Sequence, residues 1–298
     1  MNDAKPGVHV GFIGIGNMGL PMATNLLKAG YPVTAFDRAQ DRLDAIAALG
    51  AMRAASIAEV VAQSDVVFSS LPNDMVFRTV ALGAEGIINS AGANLVYMDT
   101  STVSPTVSAE VADAAAKRGV RYLRTTVSGN GVVAAAAALI VMASGPRDAY
   151  DEVLPLIRCI GRREFYLGEG EEARLMKLAV NLMISVASGM IGEALTLGRK
   201  SGLDWSQMLD VLASSSVASP MVLYKVPPLK ERDFSPTMST VLQTKDVDLI
   251  LDCAAANRVP LYLTSAVRSM FQGLISTGGG EDDYIALVKH VEALSGVV

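Results

Sequence analysis

Through the first half of the chain, short apolar runs alternate with longer stretches whose apolar positions recur every three to four residues. Residues 8–13, Val-His-Val-Gly-Phe-Ile, read as a short buried strand, 21–28 as a helix closed by Gly30, and 32–36 as a second strand ending at Asp37-Arg38. Helices follow at 41–49 and 56–63, then a strand at 65–71 stopped by Pro72 and another at 94–98 ending at Asp99. A helix at 106–118 and strands at 120–123 and 139–143 complete this half. Strands and helices in turn predict a largely parallel sheet with helices on both faces. Its ligands belong at the carboxyl ends of the strands, where Leu71-Pro72, residues 99–102 and residues 127–131 fall.

Beyond about Gly168 the strand-like runs stop. Residues 171–200 contain no proline and keep a strong helical period, enough at roughly 1.5 Å per residue to cross a whole domain. Gly202 closes this helix, and further helices are predicted at 205–215, 238–257, 261–276 and 282–294. The expected architecture is an α/β doubly wound parallel sheet over residues 1–167 and an all-α domain over 168–298, joined by the long helix.

The first predicted strand runs into Gly14-Ile15-Gly16-Asn17-Met18-Gly19, a complete GxGxxG. That motif alone is weak in a chain with 26 glycines; here it follows a strand, opens a helix and sits in a βαβ unit of the right length, which makes the domain Rossmann-type. Gly14 permits the tight turn, Gly16 lets the backbone approach a pyrophosphate, and Gly19 allows close packing of helix on strand. The helix N-terminus offers unpaired N–H groups and a positive dipole end. Asp37 falls where a carboxylate can bond the adenosine ribose hydroxyls, which favours NAD over NADP, although Arg38 could accept a 2′-phosphate or stack on adenine.

Composition narrows the chemistry. The chain is 51% hydrophobic and 18% charged, ample for a large core, and its longest unbroken apolar run, 132–143, is too short for the roughly 18 to 20 residues that span a bilayer. A net charge of −5 without a Lys/Arg stripe argues against nucleic acid; Lys117-Arg118 and Arg162-Arg163 read as solvated helix and turn ends. Cys159 and Cys253 lie in no CxxC or metal-like spacing and residues 1–7 hold no apolar signal region, so a reducing cytoplasm is expected. Of two histidines, His9 lies in the first strand and His290 near the C-terminus, so a His base, a His triad and a His-rich metal site are not expected. None of the eight tyrosines is followed four positions later by Lys, and no GxxxxGK[ST] loop is present. An acid or base must then be Lys, Asp or Glu.

The long helix offers one. Lys177 and Asn181 stand at i and i+4, and Ser185, Ser188 and Gly192 extend the same side, flanked by Leu175, Met176, Leu178, Leu182, Met183 and Val186. A solitary helical Lys usually belongs to a solvated face, but these apolar flanks are expected to be buried. An amine in a partly desolvated cleft loses proton affinity, because burial disfavours its charged form, and can exchange a proton with a substrate hydroxyl near neutral pH. Asn181 could hold that hydroxyl with its amide.

These residues together resemble the β-hydroxyacid dehydrogenases related to 3-hydroxyisobutyrate dehydrogenase. The resemblance spans the chain: the GxGxxG with Met22-Ala23 and Asn25-Leu26, Leu71-Pro72-Asn73, Asp99-Thr100-Ser101-Thr102 with Pro105, Val127-Ser128-Gly129, Lys177 with Asn181, and Phe234-Ser235-Pro236-Thr237 before Lys245-Asp246. It implies NAD(P)-dependent, metal-free oxidation of a small β-hydroxy acid or reduction of its semialdehyde, by a homodimer or homotetramer built through the helical domain. It further implies that Lys177 is the acid/base and Asn181 its assistant, that Ser128 and Gly129 bind the substrate carboxylate, and that Thr102 lies by nicotinamide and substrate. Lys245 and Asp246, with Phe234 nearby, would close the site from the helical domain; without the resemblance the pair reads as a surface ion pair. Two positions depart from the pattern. Asn130 stands where the family has a glycine, so its side chain is expected to narrow the pocket or add a polar contact, and a further family glycine falls in the alanine run 134–138. Two other readings remain open, an imine reductase or reductive aminase of similar fold, whose members carry another residue at the lysine position, and a non-catalytic nucleotide-binding module.

Overall fold

The computed structural model describes residues 7–297, so most of the N-terminal segment read above lies outside the described residues. The chain divides into two compact units, residues 1–177 and 178–298.

In the first unit the order is β1 (Val10–Ile13), α1 (Gly19–Lys28), β2 (Val33–Phe36), α2 (Gln40–Ala47), β3 (Met52–Arg53), α3 (Ile57–Ala62), β4 (Val66–Ser69), α4 (Asp74–Leu82), α5 (Ile87–Ser90) and β5 (Val96–Asp99). There follow α6 (Pro105–Lys117), β6 (Arg121–Ser128), α7 (Gly131–Ala135), β7 (Leu139–Ser144), α8 (Arg147–Ile160), β8 (Gly161–Tyr166) and the start of α9 (Glu172–Lys200). One eight-stranded sheet has the order β3-β2-β1-β4-β5-β6-β7-β8. Its strands are parallel except at the antiparallel β6·β7 pair. The chain leaves β1 toward β2 on one side and returns to β4 on the other, the strand-order reversal at which such sheets bind ligands. Alternate side chains feed two cores: Val10 and Phe12 pack with Met22, Leu26 and Leu156, whereas Ile13 packs with Val67, Phe77 and Tyr97.

β6 runs to Ser128 rather than ending near 123. Its Thr125 and Thr126 are buried yet satisfied, their hydroxyls donating to Asp99 O at 3.2 Å and Ala173 O at 3.0 Å, and this polar content hides the strand from an apolar pattern. Arg162-Arg163 is not a turn end but part of β8, where both residues are exposed on a terminal strand; charged side chains there guard an unpaired edge.

The second unit is helical: the rest of α9, then α10 (Trp205–Ser214), α11 (Pro220–Lys230), α12 (Thr240–Ala256), α13 (Tyr262–Ser276), a 3-10 turn (Tyr284–Ala286) and α14 (Leu287–Leu294). The expected helix at 282–294 is thus a 3-10 turn followed by a shorter α-helix. Leu195, Phe271, Leu274, Tyr284 and Val288 belong to its core. By length and composition α9 could cross a membrane, but 44% of its apolar window is buried inside the protein.

α9 follows the expected sidedness only in part: of the apolar flanks Leu178 is buried and Leu182 and Val186 are half-buried. Asn181, Ser185 and Ser188 are buried, whereas Leu175, Met176 and Met183 from the supposedly buried flanks are exposed. The small residues are the packing face: a Cβ on Gly189 would lie 2.8 Å from Val267 Cγ2, and one on Gly192 3.4 Å from the Val288 backbone, so α13 and α14 approach where side chains are smallest.

Candidate active site

The glycine loop follows β1 with Gly14 at φ +91°. A Cβ there would come within 2.3 Å of Ser70 O, and one on Gly19 within 1.9 Å of Gly14 O, so both positions require glycine. Ile15 is 1% exposed; its side chain serves the core and its N–H donates to Asp37 Oδ2 at 2.6 Å. Asp37 Oδ1 accepts from Ala39 N at 2.8 Å. Each carboxylate oxygen has a second lone pair for a ribose hydroxyl, so Asp37 shapes the loop and can still bind a ligand.

α1 starts at Gly19 with no side-chain cap and no acidic residue in its first turn, an arrangement that suits an anion at its N-terminus. Asn17 is exposed and Met18 half-buried at this entrance. Arg38 is exposed, and Arg42, which the motif reading passed over, brings Nη1 to 2.8 Å from where a Gly16 Cβ would lie. Its only sequence signal is its place one turn into α2. These features fit a dinucleotide whose pyrophosphate lies on the loop and whose adenosine ribose meets Asp37.

The ends of neighbouring strands supply the next wall. Leu71 follows β4 beside Gly14 and its N–H donates to Ser101 Oγ at 2.8 Å; Pro72 is exposed and Thr102, after β5, half-buried. Ser128 ends β6, and Gly129 turns the chain at φ +139°. A Cβ on Gly131 would lie 3.3 Å from Asn17 O, so this turn sits on the glycine loop, and Asn25 Nδ2 donates to Ala134 O at 2.7 Å. Asn130 has a task within the fold. Its φ of −107° needs no glycine, and its Oδ1 accepts from Val133 N at 3.1 Å as the N-cap of α7. The side chain thus closes a helix end.

Lys177, half-buried, belongs to the first unit, and Asn181, 4% exposed, to the second, one turn apart on α9. Within the second unit Asn181 Nδ2 donates to Asp246 Oδ2 at 2.6 Å. A carboxylate only accepts, so the amide orientation is fixed and Oδ1 is the end that can accept from an ammonium or a hydroxyl. Asp246 is 2% exposed and pairs through Oδ1 with Lys245 Nζ at 2.8 Å, while Ser185 Oγ donates to Asn181 O and accepts from Gln243 Nε2 at 2.6 Å. Lys245-Asp246 is therefore anchored to Asn181. Phe234 packs against the core of the second unit, with Arg232 and Lys289 over its ring.

Neither histidine takes part in these arrangements: His9 Nδ1 meets Gln63 O at 2.8 Å, and a Cβ on Gly273 would strike the His290 ring. Both cysteines are free thiols, and among the described residues no group of three or more His, Cys, Asp or Glu could hold a metal.

A doubly wound sheet with a glycine loop, followed by a helical unit, is the architecture of a dinucleotide-binding protein, and relatives named as dehydrogenases make the class an NAD(P)-dependent oxidoreductase. Residues 9–168 match the family described as the NAD binding domain of 6-phosphogluconate dehydrogenase, and 171–291 that described as NAD-binding of NADP-dependent 3-hydroxyisobutyrate dehydrogenase. The chain is 33% identical to 2-(hydroxymethyl)glutarate dehydrogenase of Eubacterium barkeri, covering 97% of each chain. It is similar to the crystal structure of 3-hydroxyisobutyrate dehydrogenase from Salmonella typhimurium, with a TM-score of 0.87, 27% identity and coverage of 95% and 99%. An imine reductase from Pseudomonas sp. shares the fold, with a TM-score of 0.61, 20% identity and coverage of 95% and 99%. The chain belongs to the β-hydroxyacid dehydrogenase family.

Proposed function

We propose that this enzyme transfers hydride between a nicotinamide and a small β-hydroxy acid or its semialdehyde, with Lys177 as acid/base. The observation that carries the reading is Asn181, buried and with its amide fixed by Asp246, one helical turn from Lys177. A bound nicotinamide would supply the hydride acceptor in oxidation and the hydride donor in reduction. Lys177 Nζ takes the hydroxyl proton as the carbonyl forms and gives it back in the reverse direction. Asn181 Oδ1 holds the hydroxyl or the ammonium in line. Ser128 and the turn at Gly129 and Asn130 receive the substrate carboxylate, and Thr102 flanks the reacting carbon. From the helical domain, taken as 168–298, Lys245 contacts the cofactor and Phe234 borders the substrate, and we assign Asp246 the task of orienting Asn181 and Lys245.

Residues 14–19, Asp37, Leu71 and Pro72 hold the dinucleotide. Asp37 favours NAD, since a 2′-phosphate would meet its charge, and Arg38 is the residue beside the ribose that a change of preference would recruit. The working enzyme is a homodimer or homotetramer in a reducing cytoplasm, a setting that suits two free thiols.

A panel of β-hydroxy acids and semialdehydes with NAD(H) and NADP(H) tests this. Lys177→Ala is expected to lower kcat by about 10²- to 10⁴-fold on the best substrate while NADH binding, followed by fluorescence, persists. Full activity in that variant would falsify the acid/base assignment. NADPH-dependent turnover of cyclic imines but not aldehydes would point instead to an imine reductase, and dinucleotide binding without any hydride transfer to a non-catalytic module.

A further inference from the structure

We propose that Arg174 is a positioning residue for the hydride transfer, fixing the turn that carries Thr102 and the helical turn that carries Lys177 on one buried ion pair with Asp99. The proposal rests on the acid/base reading of Lys177.

Arg174 is 1% exposed and Asp99 0%. Burying a guanidinium is costly, and an apolar side chain of similar volume would serve a core as well or better, so its retention calls for another reason. The donors of Arg174 are directed at groups that build the site. Nη2 donates to Asp99 Oδ2 and, at 2.8 Å, to the Tyr122 hydroxyl; Nη1 donates to Ser101 O; Nε donates to Ser108 Oγ at 3.2 Å. Burial pushes the Tyr122 hydroxyl pKa up, against the pull of Arg174, which keeps it protonated as it accepts this bond.

Asp99 carries the network to the backbone. Its Oδ1 accepts from Ser69 Oγ and, at 2.6 Å, from Ser101 Oγ, and its Oδ2 accepts from Ser101 N at 3.2 Å. Ser101 Oγ then accepts from Leu71 N at 2.8 Å. Ser101 thus has N, Oγ and O all engaged, and its neighbour Thr102 inherits that position. The same carboxylate fixes the Leu71-Pro72 turn at the next strand. On the helix, Lys177 follows Arg174 at i+3, so the first turn of α9 cannot roll without breaking bonds to Asp99, Ser101 and Tyr122 together. All these residues lie in the first unit, and apart from Leu71, which joins through its backbone N–H, the network uses none of the groups assigned to substrate or cofactor.

The test is Arg174→Lys, which keeps the charge but cannot reach Ser101 O, Tyr122 and Ser108 at once. Ser101→Ala, which removes the bonds of that hydroxyl to Asp99 and Leu71, and Tyr122→Phe, which removes those to Arg174 and Ser108, serve if the first variant fails to fold. Each is assayed with a β-hydroxy acid, unlabelled or deuterated at the carbinol carbon, beside NADH binding by fluorescence and thermal melting. We expect NADH affinity within about twofold of the parent, kcat lower by about 10- to 100-fold in Arg174→Lys, and a larger deuterium isotope effect on kcat as the misaligned hydride step becomes slower. Ser101→Ala should show the same pattern more weakly. Parent-like kcat and isotope effect in a folded variant would overturn the proposal, as would activity that falls only in step with the folded fraction at an unchanged isotope effect. Lys177→Ala in the same assay separates the two ideas: if it is as active as the parent the acid/base reading fails, and if it is inactive while Arg174→Lys behaves like the parent, only the positioning role fails.

Discussion

Asp37 and Glu292 are both carboxylates held by donors, yet one stands at the proposed dinucleotide site and the other is buried in the helical unit. Asp37 accepts from two backbone N–H groups across the glycine loop, so Asp37→Ala should weaken NADH binding more than loss of a ribose contact alone, because Ile15 N and Ala39 N lose their acceptor. An NADH titration checks this, and a change of less than about threefold would sink it. Glu292 is 3% exposed. Burial would raise its pKa, but hydrogen bonds from Arg232 and Arg199 outweigh burial and hold it below the usual carboxylate range. A folded-state pKa below the unfolded one contributes stability that is complete above about pH 4.3 and is lost as pH falls through the folded value. Glu292→Gln should therefore melt below the parent at pH 7, with the gap closing as pH falls below the ordinary Glu value of about 4.3. A gap independent of pH would count against the assignment.

Among the elements, those bounded by Gly or Pro and filled with apolar residues were legible from the pattern: β1, α1, β2, β4 and α9 lie where periodicity puts them. Other elements were hidden by their own chemistry. α8 contains Pro155, β8 is charged at Arg162 and Arg163, and α11 carries Pro227 and Pro228 near its end, each a local signal against the element that forms. The site divides similarly. The glycine loop, Asp37 and the Lys177-Asn181 spacing could be read along the chain, but the partners that fix them, Arg174 with Asp99 and Asp246 with Asn181, are 75 and 65 residues apart and leave no local trace. Asn130 shows how a motif position changes its task. Because it caps α7 from an ordinary backbone conformation, Asn130→Gly should cost only a few tenths of a kcal/mol and Asn130→Ala about 1 kcal/mol. Neither should move the KM for the hydroxy acid more than about threefold. A tenfold KM change in Asn130→Gly with unchanged melting would mean that the side chain reaches the substrate after all.

For the whole molecule, the apolar excess of the composition is not used up by the cores. Met176, Met183, Met190 and Leu197 recur every seven residues along α9 and are exposed, Met183 to 72% and Leu197 to 70%. A heptad stripe that the chain leaves uncovered is the pattern of a helix packed against another, and a contiguous exposed apolar face is uncommon on a protein that works alone. A second copy of the chain, paired isologously through α9, would cover it with the same residues from both sides. Replacing Met183 and Met190 by Glu should then shift sedimentation from the oligomer to the monomer, because each charge would face a desolvated apolar surface in the assembly yet sits in water in the single chain. The glycine loop is far along the sequence from either position, so NADH binding by the monomer should persist. An unsubstituted protein that sediments as a monomer at micromolar concentrations, or a double variant that remains oligomeric, would show that α9 is not the contact.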